Sequence, residues 1–274
     1  MRSLIAGFLI CGWAIALHAQ DWAKPRLENS PRHLEWAKVN HGDRSVDCFV
    51  AFPESKNKTT VVIVIHEIFG LSDWVRSMTD ELAEQGYIAI APDLLTGMGP
   101  GGIGSKELGN DKARGVIGSL KPDQITADLN ACVEYARKLD ACNGKVVVCG
   151  FCWGGSQTFR FANNTRHKVD AFFPFYGGGP TTVDGVANAK GPIYGFFAGN
   201  DARVNSTLDK ASELYKAKNL TFEYVTYEEG GHGFMRAGED PTPAKDDKRK
   251  AAQEGNKKAR AEAWKRWLEL LKKV

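Results

Sequence analysis

The chain has 274 residues, 43% of them hydrophobic and 25% charged, with a formal net charge of +3. That length supports one large α/β domain with a substantial core, and the composition is that of a globular protein. A charge balance this near neutrality gives no footing for nucleic-acid binding. The eleven Lys/Arg against five Asp/Glu over residues 245–274 read as the solvated face of a helix.

The first twenty residues carry the pattern of a secretory signal, with Arg2 ahead of an apolar run over residues 4–17 and Ala19 as the cleavage site. The run is short for a transmembrane helix, which needs about 20 residues. Residues 1–19 are therefore read as a signal peptide and residues 20–274 as a single domain. The protein is expected to be exported, periplasmic or secreted, without stable membrane anchoring. Cys11 lies inside the apolar run with Ile10 before it, where lipidation would want a small residue. Export would place Cys48, Cys132, Cys142, Cys149 and Cys152 in an oxidising compartment. Five is an odd number, so at least one is free or pairs between chains. Cys132 with Cys142 is one possible disulfide.

Residues 21–31 are polar and read as a loose N-terminal arm. Residues 33–39 and 46–52 predict an antiparallel strand pair with residues 40–43 as its turn. Residues 60–65 form a β-branched run of the kind buried on both faces of a sheet. A helix is predicted over 71–85, closed by Gly86, and a short strand over 87–91, closed by Pro92. Residues 96–105 are glycine-rich and read as a flexible loop, a candidate lid. An amphipathic helix follows over 122–139, with Ile125, Leu129, Cys132, Val133 and Ala136 on one face. Strands are predicted over 145–150, 169–176, 192–198 and 221–227, and a helix over 208–217. The C-terminal helix places Trp264, Trp267, Leu268 and Leu271 at i, i+3, i+4, i+7. Strands alternating with helices predict an α/β fold with a mostly parallel sheet and helices on both faces. No internal repeat is present.

The strand over 145–150 runs into Gly150-Phe151-Cys152-Trp153-Gly154-Gly155, and a helix-like stretch follows. A strand that turns sharply into a helix around Gly-x-nucleophile-x-Gly is the nucleophile elbow of α/β-hydrolases. The glycines matter because the nucleophile sits on a strained turn where neighbouring side chains would collide. Here the usual serine is a cysteine. Two further strands end in reactive residues: Asp201 in Gly199-Asn200-Asp201, and His232 in Gly231-His232-Gly233. Ligands in such sheets bind beyond the carboxyl ends of the strands, so Cys152, Asp201 and His232 are expected at one edge, in the chain order nucleophile, acid, histidine.

Each residue has a role that the chemistry requires. A thiol is weakly ionised at neutral pH and needs a base or a favourable field to become a thiolate. His232 is the candidate base, and Asp201 would fix its tautomer and stabilise its charged form. The start of the following helix also favours negative charge at Cys152. Taken singly, the cysteine reads as a small buried hydrophobe, the aspartate as a turn residue and the histidine as an exposed loop residue. Order and position at strand ends bind them together. Asp184 is a rival acid, but it stands well past its strand in a polar stretch.

These residues, with His66-Glu67-Ile68-Phe69-Gly70 after the third strand, Ala91-Pro92-Asp93-Leu94 and Gly231-His232-Gly233-Phe234, resemble the dienelactone hydrolase family across roughly residues 60–236. The resemblance implies an α/β-hydrolase fold and hydrolysis of a small ester or lactone through a thioester, with no cofactor. It implies that Glu67 contacts the resting nucleophile and takes part in its activation; a plainer reading makes Glu67 a helix cap. It places the oxyanion hole at the backbone N–H groups of Ile68 and Trp153, which agrees with the general expectation for the elbow. Family members acting on dienelactone hold its carboxylate with two arginines. Arg236 matches one as a substrate-binding residue; Gly97 stands where the other would be. Arg114, Lys106 and Arg203 are the candidate replacements.

Two patterns mislead. Cys149-Gly150-Phe151-Cys152 is Cys-x-x-Cys, but strand geometry sets the two Cα atoms roughly 8–10 Å apart, against the 7 Å limit for a disulfide. Gly97-Met98-Gly99-Pro100-Gly101-Gly102 matches Gly-x-Gly-x-x-Gly, but Pro100 and the surplus glycines do not open a helix as a dinucleotide site requires. For metals, no His-Glu-x-x-His occurs, and His33, His41, His66 and His167 are scattered. The expected partner is a small-molecule ester or lactone. The competing classes are a catalytically altered exported binding protein and a Cys-x-x-Cys redox protein.

Overall fold

Alternation of side chains along the central strands sets the architecture. A computed structural model describes residues 22–274; the expected signal peptide lies outside the described residues. The elements are α1 (Ala23–Glu28), β1 (His33–His41), β2 (Arg44–Phe52), β3 (Thr59–Ile65), α2 (Asp73–Glu84), β4 (Ile88–Pro92), α3 (Ser105–Val116), α4 (Pro122–Lys138), β5 (Cys142–Phe151), α5 (Trp153–Asn164), β6 (Ala171–Phe175), β7 (Ile193–Asn200), α6 (Ala202–Asn205), α7 (Leu208–Ala217), β8 (Phe222–Gly231), α8 (Phe234–Ala237) and α9 (Asp247–Leu271).

The strands form one sheet in the order β1-β2-β4-β3-β5-β6-β7-β8. β2 runs antiparallel to both its neighbours, and the strands from β4 to β8 are parallel. Successive strand residues point to opposite faces. Val61, Ile63 and Ile65 therefore join Val146 and Val148 in a core under α4, α5 and α7. Val62 and Val64 join Val147, Cys149 and Phe151 in a second core under α2 and α9. A sheet covered on both faces explains why β3, β4 and β6 read as unbroken apolar runs. This is the α/β-hydrolase architecture expected from the sequence.

Three expectations change. The polar N-terminal segment is not a loose arm: residues 23–28 are helical and Ala23 is fully buried. Arg32 donates to both oxygens of Asp80 at 2.6 and 2.7 Å, Ser30 donates to the same carboxylate, and Arg26 bonds Glu84. Polar residues that looked solvated find charged partners on α2. The glycine-rich loop ends one residue earlier than expected, at Gly104. A helical turn over Pro100–Gly102 lies within it, and its far end opens α3. There Asp93 accepts the N–H and hydroxyl of Ser105 at 2.7 and 2.5 Å. Finally, Cys132 and Cys142 are not paired. The five cysteines among the described residues are free, and Cys132 on α4 faces Cys48 on β2 with sulfurs 3.9 Å apart. Cys142 sits at the far start of β5, where its sulfur takes the Gly144 N–H.

Candidate active site

β5 delivers Cys152 to its position. The strand ends at Phe151 and α5 starts at Trp153, leaving Cys152 between them at φ 56°, ψ −114°. That backbone region costs a non-glycine residue of order 1–3 kcal/mol, and the surroundings hold it there. Its N–H donates to the Phe175 carbonyl at 3.0 Å, and its carbonyl accepts from Ser156 N–H at 3.3 Å. The tightness of the turn explains its glycines. A Cβ on Gly150 would stand 2.2 Å from the Gly154 carbonyl oxygen, and one on Gly154 would stand 2.3 Å from that of Ile65.

The histidine and the acid arrive on neighbouring strands. Parallel pairing sets Asn200 of β7 against Gly231 of β8, so Asp201 and His232 leave the sheet side by side. Gly231 N–H is anchored to Asn256 of α9 at 2.8 Å. His232 Nδ1 lies 2.5 Å from Asp201 Oδ2, and Nε2 lies 3.1 Å from Cys152 Sγ. A carboxylate only accepts, so Nδ1 carries the proton and Nε2 is left to accept from the thiol. Asp201 is itself held by the Val204 N–H at 3.3 Å. Tyr176, fully buried at φ 37°, sets its ring edge-on to His232 with centroids 5.3 Å apart.

Glu67 and Arg236 form a second, linked pair. Glu67 is 1% exposed, and one of its oxygens accepts from Arg236 Nη1 while the other has no partner. Arg236 also lies over the Phe69 ring, 5.6 Å from its centroid. The Glu67 charge acts on the Cys152 sulfur, which is hydrogen-bonded to His232. One expectation is corrected here: Glu67 does not cap the next helix, whose N-cap residue is Ser72. Arg236 is not an unencumbered cation, because Glu67 already holds it.

The field at the sulfur favours a neutral thiol. Burial first, then the Glu67 carboxylate, pushes the Cys152 thiol up to about 11. The Trp153 N–H, Arg236 and Arg203 pull the other way. Arg203 stands on α6 two residues after Asp201, so of the candidate replacement cations its charge reaches the sulfur. Lys106 instead lines a cavity of about 610 Å³ beside Phe69, Leu71 and Ser105; Arg114 lies in the last turn of α3. Arg44 brings a guanidinium to 3.7 Å from where a Gly97 Cβ would stand. It is committed to Asp128 and to the Thr96 and Leu94 carbonyls.

The rejected residues fall elsewhere. Asp184 is exposed in the turn Val183–Gly185. Cys149 is fully buried within β5. Among the described residues no three His, Cys, Asp or Glu side chains are grouped to hold a metal. Sequence reasoning missed Tyr176, a bulky residue at the end of β6 whose positive φ leaves no mark in the residue pattern. It also treated His66 only as a member of a motif and as one of the scattered histidines.

A family model described as the dienelactone hydrolase family matches residues 46–274. A protein from Saccharolobus solfataricus described as "Putative carboxymethylenebutenolidase" is 29% identical over 262 residues, covering 84% of this chain and 94% of its own. One of the same description from Methylorubrum extorquens is 27% identical over 246 residues, covering 85% and 83%. Among solved structures, the "Putative Dienelactone Hydrolase" of Klebsiella pneumoniae superposes with a TM-score of 0.70 at 24% identity, over 89% of this chain and 99% of that one.

Proposed function

The chain belongs to the dienelactone hydrolase family and is a hydrolase; we propose that it cleaves a small ester or lactone with Cys152 as the nucleophile. The observation that carries this reading is the unbroken hydrogen-bonded line from Asp201 through His232 to Cys152, at 2.5 and 3.1 Å.

In the proposed reaction the thiol proton passes to His232 Nε2 as sulfur attacks the carbonyl carbon. Asp201, already accepting Nδ1–H, stabilises the imidazolium. The carbonyl electrons move onto oxygen, where the N–H groups of Ile68 and Trp153 hold the charge. Collapse expels the alkoxide, which takes the proton from His232. A thioester remains, and in a lactone the alcohol stays tethered to it. Water then attacks the thioester, giving its proton to His232, and the second collapse releases the acid and expels the Cys152 thiolate, which takes that proton back from His232. Thiolate leaves a tetrahedral intermediate more readily than an amine does, so esters and lactones are favoured over amides.

Glu67 and Arg236 add a condition. A substrate carboxylate would compete with Glu67 for Arg236, and the released Glu67 would then be free to relay the proton of the neutral thiol on to His232 Nε2. This reading links activation of Cys152 to an anionic substrate. With Gly97 in place of a second arginine, the reaction class is proposed and dienelactone itself is not.

The test is turnover of p-nitrophenyl esters and a panel of lactones by the mature protein, with intact-mass detection of an acyl group on Cys152. Cys152→Ala is expected to abolish both. A wild type that neither turns over nor is labelled at Cys152 would favour a binding protein on a hydrolase fold. We also propose export after cleavage of residues 1–19. N-terminal sequencing of the protein from extracytoplasmic fractions tests this, and an intact Met1 there would reject it.

A further inference from the structure

We propose that His66 is a positioning residue that aims both oxyanion donors, Ile68 N–H and Trp153 N–H. The proposal rests on the thioester reading above and gives it a component that touches neither substrate nor nucleophile.

His66 directly follows β3 and is completely buried. Leu94 N–H donates to its Nε2 at 3.3 Å. An amide N–H cannot accept, so Nε2 is the acceptor and Nδ1 carries the proton. Nδ1–H then donates to the Glu67 carbonyl at 2.8 Å. That carbonyl and the Ile68 N–H belong to one planar trans peptide unit, in which C=O and N–H point in opposite directions; the described residues contain no cis peptide bond. Holding the oxygen on the imidazole therefore fixes the direction of the Ile68 N–H, away from the ring.

The other donor meets the same ring. His66 stacks on the Trp153 indole with centroids 5.5 Å apart and planes 15° apart. The first turn of α5 is pressed onto the same stretch of backbone. A Cβ on Gly154 would come within 2.5 Å of the His66 carbonyl oxygen. One imidazole thus contacts the peptide that supplies the first donor and the residue that supplies the second. A histidine serving only to fill the core would need its two hydrogen bonds, but not this pairing of loops. Burial lowers its basicity, consistent with a ring that stays neutral and keeps Nε2 as an acceptor.

Two reactions of Cys152 separate positioning from general damage. Alkylation by iodoacetamide develops no oxyanion; acylation by a p-nitrophenyl ester does. Removing one oxyanion donor outright costs about 10²–10³ in kcat, so misaiming donors that remain present should cost about 10- to 100-fold. In His66→Leu, acylation is expected to fall by that factor, with KM little changed and alkylation falling clearly less, by no more than the slowing that a looser Trp153 N–H brings to thiolate formation. His66→Gln, whose amide can donate and accept, should recover most of the loss. Equal acylation in wild type and His66→Leu would overturn the proposal, as would a parallel fall of acylation and alkylation.

If His66→Leu does not fold, nitrogen NMR of the wild-type imidazole decides. A neutral Nδ1–H ring between about pH 5 and 8 is required, and an Nε2–H tautomer or a protonated ring would reject the role. Failure of the parent reading looks different: wild type itself would then form no acyl-enzyme at Cys152.

Discussion

Cys152 sits in a field that opposes its ionisation, and the sources of that field can be altered one at a time. Burial and Glu67 raise the thiol pKa to about 11, while Arg236 lowers it. Glu67→Gln removes an anion and releases Arg236 from its ion pair, so both changes act in the same direction. The midpoint of Cys152 alkylation against pH should move down from the strongly alkaline wild-type value. Alkylation at pH 8 should accelerate several-fold, reaching about tenfold if the midpoint falls by one pH unit. An unchanged profile would mean that Glu67 does not control the sulfur. At this scale the three residues of the hydrogen-bonded line were legible in the sequence, because each directly follows a strand and the strands announce themselves as apolar runs. The grip of Glu67 on Arg236 was not legible. The two are far apart in the chain, and nothing in either motif says that one neutralises the other.

Among the elements, α1 shows most clearly how pairing reverses a local reading. Its residues look solvated, yet Asp80 on α2 is completely buried and is met by Arg32, Ser30 and Arg26. Removing one partner of a buried pair leaves an uncompensated charge and typically costs about 3–5 kcal/mol. Asp80→Ala should therefore lower the unfolding free energy by about that amount in denaturant titration, and Asp80→Asn by less. A loss below about 1 kcal/mol would mark the N-terminal helix as an incidental attachment. α3 teaches a similar lesson. Gly109 at φ 70° interrupts it, and its first turn is secured by Asp93, twelve residues earlier. The residue patterns that read correctly for α2 and α4 are cut in two there by Gly109, which leaves only a short run on either side. The elbow behaved differently: its glycines are demanded by contacts with Ile65 and Gly154, and that demand is written directly into the motif.

At the scale of the whole molecule, α2, α9 and the segment after α8 meet at one charged joint. Arg260 donates to Glu81 and to Glu239, and Trp74 Nε1 donates to Glu239 at 3.2 Å. One guanidinium serves two partly buried carboxylates. Burial and the Glu81 charge push Glu239 up to about 8, against the pull of Arg260. A folded-state pKa above the unfolded one gives stability that is complete below the unfolded value and is lost as pH rises through the folded value. Stability should thus fall between about pH 4.5 and 8, by an amount on the order of a few kcal/mol. Glu239→Gln, a lasting mimic of the neutral acid, should flatten that fall and raise Tm more at pH 9 than at pH 5. An identical pH dependence in both proteins would reject the assignment. The sequence by itself determined the parallel core of the sheet, the elbow and the strand-end positions of Cys152, Asp201 and His232. Those features follow from local periodicity, turn chemistry and the direction of parallel strands. Tertiary structure alone decided the pairing of Glu67 with Arg236, the free Cys132 facing Cys48, the anchoring of α1 and the seat of His66 between two loops. Each of these depends on which distant side chains share a buried space, and charge pairing and packing across a sheet leave no periodic trace in the chain.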